Sequence, residues 1–135
     1  MICIECLDSN TSTIILRWHA CQRDFSGVVI FELAVTELEV FQRQLSEVAD
    51  GSLECASLVS PSIGVGIPSS LTLNFKRTRI GSNIVVRSTF RTTKDCGAIS
   101  SLIVVDFSAI YSASEIWRLA QKFPMAPHHP SLEIG

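Results

Sequence analysis

Five cysteines and three histidines are the side chains of this 135-residue chain best suited to metal binding, nucleophilic attack or proton transfer near neutral pH. Cys3 and Cys6 form a C-x-x-C in "MICIECLDSN". A structural zinc site takes about four Cys/His ligands, and no second C-x-x-C or H-x-x-x-H follows. A thioredoxin-like pair opens a helix, whereas Cys3 and Cys6 alternate with Ile2 and Ile4 in a strand pattern. With Cys21, Cys55 and Cys96 the cysteines are odd in number and irregular in spacing, which argues against a disulfide framework and for a reducing compartment. His19 lies in an alternating segment and reads as a plain strand residue on an outer face. His128 and His129 are adjacent, with no Cys or carboxylate cluster nearby. No G-x-S-x-G, H-E-x-x-H, P-loop or G-x-G-x-x-G occurs, and "GVGIP" lacks the third glycine and the following helix that would cradle a phosphate. The sequence therefore assigns no catalytic residue, no metal ligand and no cofactor.

Lys76, Arg77, Arg79, Arg87 and Arg91 crowd into "FKRTRIGSNIVVRSTFR" around a Gly-Ser-Asn turn. Leu71, Leu73 and Phe75 share one parity and Ile84, Val86, Ser88 and Phe90 another, which makes the stretch an amphipathic hairpin with its arginines on the wet side. Sheet surfaces that read nucleic acid add exposed aromatic platforms, but Phe75 and Phe90 have the buried parity. The expectation is a solvated face and no nucleic-acid partner.

The whole chain bounds the remaining options. Hydrophobic residues make up 47% and charged ones 18%, with a mean hydropathy of +0.34. That is too apolar for disorder and leaves apolar surface for a partner. The longest apolar runs are far short of the roughly 20 residues that span a bilayer, and the first residues lack the basic region of a signal peptide. The expected location is the cytoplasm, without membrane association. The net charge of -2 divides unevenly, since acids dominate residues 1–60 and bases dominate 61–135.

Period analysis supplies the elements. Ile14, Leu16, Trp18 and Ala20 alternate in "STIILRWHAC", and Val29, Phe31, Leu33 and Val35 do so in "FSGVVIFELAV". In "TELEVFQRQLSEVADG" the period becomes helical, with Leu38, Phe41, Leu45 and Val48 on one stripe over residues 37–49. Thr36 and Glu39 have capping-box spacing, Glu39 and Arg43 form an i,i+4 pair, and Gly51 ends the helix. "SLECASLVSPSIGVGIPSS" reads as a long apolar loop, and "GAISSLIVVDFSAIYS", apolar on both faces, as a central strand. A second helix over 114–123 has the box Ser112/Glu115 and the stripe Ile116, Leu119, Ala120, Phe123. Each half thus runs strands, then an S/T-x-x-E cap, then a helix, although identity between the halves is too slight to name a repeat. The expected fold is α+β: a mostly antiparallel sheet of five or six strands with two amphipathic helices packed on one face. It forms a single domain over 1–123, and 124–135 is a loosely ordered tail.

The succession "VVIFELAVTELEVFQRQLSEVADG", "SLTLNF", "NIVVRSTFR", "SLIVVDFS" and "SEIWRLAQKF" resembles small bacterial immunity proteins that neutralise polymorphic or contact-dependent toxins. The resemblance spans residues 28–123 and is one of pattern, so no functional residue carries over. It implies a non-catalytic inhibitor that covers a cognate toxin domain, often a nuclease. Because nuclease clefts are basic, the partner-binding candidates are the acids Glu37, Glu47, Asp50 and Glu54 on and after the first helix. Two alternatives stand beside it: a small-ligand binder with Ser57 to Ser70 as lid, and an enzyme whose site carries no recognisable motif.

Overall fold

Alternation of apolar residues decides the strands, and in the computed structural model they form two sheets. The described residues are 1–61, 69–96 and 99–135. Their elements are β1 (Ile2–Ser9), β2 (Thr13–Gln22), β3 (Phe25–Ala34), α1 (Val35–Asp50), β4 (Cys55–Pro61), β5 (Ser69–Arg77), β6 (Asn83–Cys96), β7 (Ile99–Ser112), α2 (Ala113–Gln121) and β8 (Leu132–Ile134). Among the described residues the protein is α+β with two helices, and every strand pairing is antiparallel. The expected single sheet is corrected to two sheets of four, ordered β3-β2-β1-β8 and β4-β5-β6-β7. The difference comes from β4 and β8. β4 lies inside the stretch read as a loop, of which residues 62–68 fall outside the described residues. β8 lies in the segment read as a loose tail, where Ile2 pairs Ile134 and Ile4 pairs Leu132.

This arrangement makes the two halves equivalent. The order β-β-β-α-β runs twice, as β1-β2-β3-α1-β4 and β5-β6-β7-α2-β8, and each half lends its last strand to the sheet of the other. The correspondence reaches single hydrogen bonds: Val35 N–H donates to Ser12 O at 3.0 Å, and Ala113 N–H donates to Ser82 O at 3.0 Å. Both bonds fix the point where a strand becomes a helix.

Inward parity from both sheets and the apolar stripes of both helices meet in one core. Trp18 of β2 stands edge-on to Phe75 of β5, and Phe75 in turn meets Phe41 of α1. The indole N–H of Trp18 donates to Ser88 Oγ at 3.1 Å, joining the sheets through a buried, satisfied polar pair. Leu38, Leu45, Ile116 and Leu119 are fully buried between the helices and sheets. Gln42 Nε2 donates to Ala120 O at 2.6 Å, tying α1 to α2.

The helix ends differ from each other. α2 carries the expected capping box, with Ser112 and Glu115 bonded reciprocally. α1 does not: it begins at Val35, its N-cap is Ala34, and no side chain caps it. Thr36 is therefore already helical, because β3 passes straight into the helix and the Ser12 carbonyl takes the first orphan donor. Glu39 and Arg43 are exposed and form no ion pair. At the other end Gly51 adopts φ 90° as C-cap, and Arg77 of β5 donates to Val48 O at 2.7 Å and Ala49 O at 3.2 Å.

Replacing Ser88 by Ala should destabilise the protein by about 1–3 kcal/mol, since the Trp18 N–H would be left buried without an acceptor. Leu45→Ala and Leu119→Ala should each cost about 2–5 kcal/mol. Urea unfolding checks both expectations, and a loss below roughly 0.5 kcal/mol would place the residue outside the core.

Candidate functional site

The outward parity of the second sheet builds a surface from four strands. Across it the register sets Ser57, Asn74, Arg87 and Ser108 in one row, then Val59, Thr72, Thr89 and Asp106, then Ser70, Arg91 and Val104. From these rows Asn74, Arg87, Thr72, Thr89, Asp106, Arg91 and Val104, together with Glu54, Cys55 and Lys76, line an open cleft of about 650 Å³. Its floor is organised: Arg87 Nη2 donates to Asp106 Oδ2 at 2.8 Å, and Thr89 Oγ1 donates to the other carboxylate oxygen. Thr89 has outward parity yet is only 8% exposed, because Arg87, Arg91 and Asp106 close over it. The hydrogen bond from Arg87, followed by that from Thr89, holds the Asp106 carboxyl below the usual carboxylate range. Asn74 Nδ2 donates to Cys55 Sγ at 3.3 Å. Lys76 and Arg91 have no hydrogen-bond partner among the described residues, so two cations stand toward opposite ends of the groove. Exposed valines and isoleucines edge the face, with Val59 at 68% and Ile110 at 66%.

The four acids expected to bind a partner do not share one patch. Glu37 is exposed in the first turn of α1, in a groove with Val40, Gln44, Ser57 and Leu58. Ten residues of helix, about 15 Å, separate it from Glu47. Glu47 is half-buried near the end of α1. Asp50 is exposed and accepts from Ser52 N at 2.8 Å and Ser52 Oγ at 2.6 Å, bonds that hold its carboxyl below its usual range. Glu54 lies in the cleft beside the basic residues. Glu47, Asp50 and Glu54 thus follow one corner, from the last turn of α1 into β4, and Glu37 stands apart.

Sequence pattern alone makes the outward residues of β5 and β6 a solvated face. Parity does place Lys76, Arg87 and Arg91 outward, but only the docking of β4 and β7 brings Cys55, Val104 and Asp106 beside them. β7 is an edge strand rather than the expected central one. Phe107 and Tyr111 reach the core, but along the middle of the strand apolar residues on both faces are exposed instead of covered, with Ile103 at 40%, Val104 at 46% and Val105 at 39%.

Apart from Cys55, the cysteines and histidines singled out in the sequence are not among the described residues that line this cleft. A three-residue separation along a strand sends Cys3 and Cys6 to opposite faces, so they cannot share a metal. Cys6 is buried, and burial pushes its thiol up. Cys3 lies in a shallow outer groove with Glu5, Arg17, His19 and Val28, where burial first and then the carboxylates of Glu133 and Glu5 raise its pKa. Arg17 pairs with Glu5. His129 Nδ1 accepts from Met125 N–H at 3.2 Å. Among the described residues no three His, Cys, Asp or Glu side chains gather as a metal site, and no helix is long and apolar enough to cross a membrane. No protein-family model matches the chain, and neither a curated protein nor a solved structure matches it.

The Asp106 carboxyl should titrate below the ordinary aspartate range in an NMR pH series, and Arg87→Gln should bring its midpoint back up. Because the folded pKa is depressed, the stabilisation it gives is present above the unfolded value and is lost as pH falls through the folded one. An unshifted carboxyl in the native chain would show that the Arg87 bond does not persist in solution.

Proposed function

We propose that the chain is a non-catalytic protein-binding module acting as an immunity protein, which holds a cognate toxin domain against the outer face of its second sheet. One observation carries this reading. The cleft of about 650 Å³ combines a polar floor tied by the Arg87–Asp106 bond with two cations that have no hydrogen-bond partner among the described residues and with exposed aliphatic side chains around it. Arginine and exposed apolar side chains on one face are both features of surfaces that bind proteins. The pattern resemblance to immunity proteins supports the same class. Glu54 lines the cleft, with Glu47 and Asp50 just before it in the chain; these acids would steer the basic groups of a toxin domain, while Lys76 and Arg91 would meet acidic groups on the same domain.

The small-ligand alternative has less to build on. The space between sheets and helices is occupied by Trp18, Phe41, Leu45 and Phe75. A recess bordered by Met1, Ala20, Phe107 and Tyr111 measures about 60 Å³, which has room for a few waters.

The reading expects a toxin domain to be encoded beside this chain, and interferometry against that domain should show tight binding. Lys76→Glu combined with Arg91→Glu should raise Kd by about a hundredfold, mostly through faster dissociation. Glu47→Lys with Asp50→Lys should slow association and flatten its salt dependence, with little effect on dissociation. Unchanged binding by the Lys76/Arg91 variant would remove the cleft as the docking face. A chain that neither binds the neighbouring toxin nor protects cells from it would refute the immunity reading.

A further inference from the structure

The two halves protect their third strands unequally. In the first half β3 ends its sheet, and β4 lies against it, with Ser60 Oγ donating to Glu32 O at 3.5 Å. The counterpart of β3 is β7, and the counterpart of β4 is β8. β8 has three residues against seven, and Gly135 just after it lies against Tyr111, near the end of β7. Among the described residues nothing takes the place of β4 along the middle of β7.

That open edge lacks the usual defences of an edge strand. β7 is 14 residues long, with no proline, lysine or arginine. Its register with β6 runs unbroken from Cys96↔Ile99 to Asn83↔Ser112, so no bulge twists it away, in contrast to the break in β1 between Cys6 and Asp8. Its single charge, Asp106, is already neutralised by Arg87 of the neighbouring strand. Ile103 and Val105 on one face and Val104 on the other are exposed side by side.

We infer that β7 pairs with β7 of a second copy of this chain, antiparallel about a two-fold axis through Val104 and perpendicular to the sheet. The strand is self-complementary in this register. Val104 opposes Val104, Ile103 opposes Val105, and the two Asp106 residues stand roughly 13 Å apart along the ladder, too far for strong repulsion. The perpendicular axis keeps outer face beside outer face, so the two sheets of four become one of eight. Both clefts, each bordered by Val104, then lie on a single surface. This pairing does not depend on the toxin-binding reading.

Sedimentation of the pure chain from low to high micromolar concentration tests it. A monomer–dimer equilibrium is expected, with backbone amides 102–106 gaining hydrogen-exchange protection as dimer forms. Val104→Lys should weaken association by about tenfold or more. Val59→Lys, a more exposed valine on the opposite edge of the same sheet, should leave it unchanged. The exchange measurement on the native chain decides the matter if Val104→Lys fails to fold. A chain that stays monomeric throughout overturns the inference, as does a dimer insensitive to Val104→Lys. So does protection of β7 that appears only when a different protein is added.

Discussion

A buried indole and a buried hydroxyl, 70 residues apart in sequence, hold the two sheets in one relation. Trp18 and Ser88 occupy corresponding places in the second strand of each half, so the bond between them joins equivalent positions. The pair is unequal in size, and that inequality is what permits contact: a large ring fits where its counterpart is small. Around it the Phe75 ring stands edge-on to the indole and passes the contact to Phe41 on α1. A slip of either strand by one residue would turn every inward side chain outward and leave the indole N–H without an acceptor. Register in both sheets and the seating of the first helix are therefore tied to one point.

Electrostatic features follow from that seating. With α1 fixed over the core, its last carbonyls lie within reach of Arg77, a cation from another element that does what a basic residue in the last turn of the helix would do. The side chains one residue before and ten after it, Lys76 and Arg87, have the opposite orientation and belong to the outer cleft. A single basic run in the sequence thus divides into a structural cap and a surface.

Periodicity revealed the first three strands, the β5–β6 hairpin, β7 and both helical stripes, because each of these carries its own pattern. It did not reveal β4 or β8. "CASLVSP" is interrupted by serines and ends in proline, and "LEI" is too short to show a period, so both exist as strands only through partners that a local window cannot see. The same blindness applied to the cleft. Outward parity of Arg87 and Arg91 could be read directly, whereas the approach of Asp106 depends on which strand docks beside β6. Misplacing β7 in the sheet centre had a related cause: apolar residues on both faces mark burial by some neighbour, and the pattern does not say whether that neighbour belongs to the same molecule.

The exchange of last strands also makes the two sheets unequal in loop closure. Sheet β4-β5-β6-β7 is a meander of consecutive strands, so each pairing closes a short loop. The other sheet needs Ile2 to find Ile134, a loop more than ten times longer than a hairpin, at an added entropic cost of about 2 kcal/mol. Although the halves are equivalent in the finished fold, their last strands are not: β4 pairs its neighbour in sequence, whereas the pairing of β8 with β1 carries the largest loop-closure cost in the fold. With three residues and three register pairs, β8 is also the strand whose opening would break the fewest pairings, baring the edge of β1.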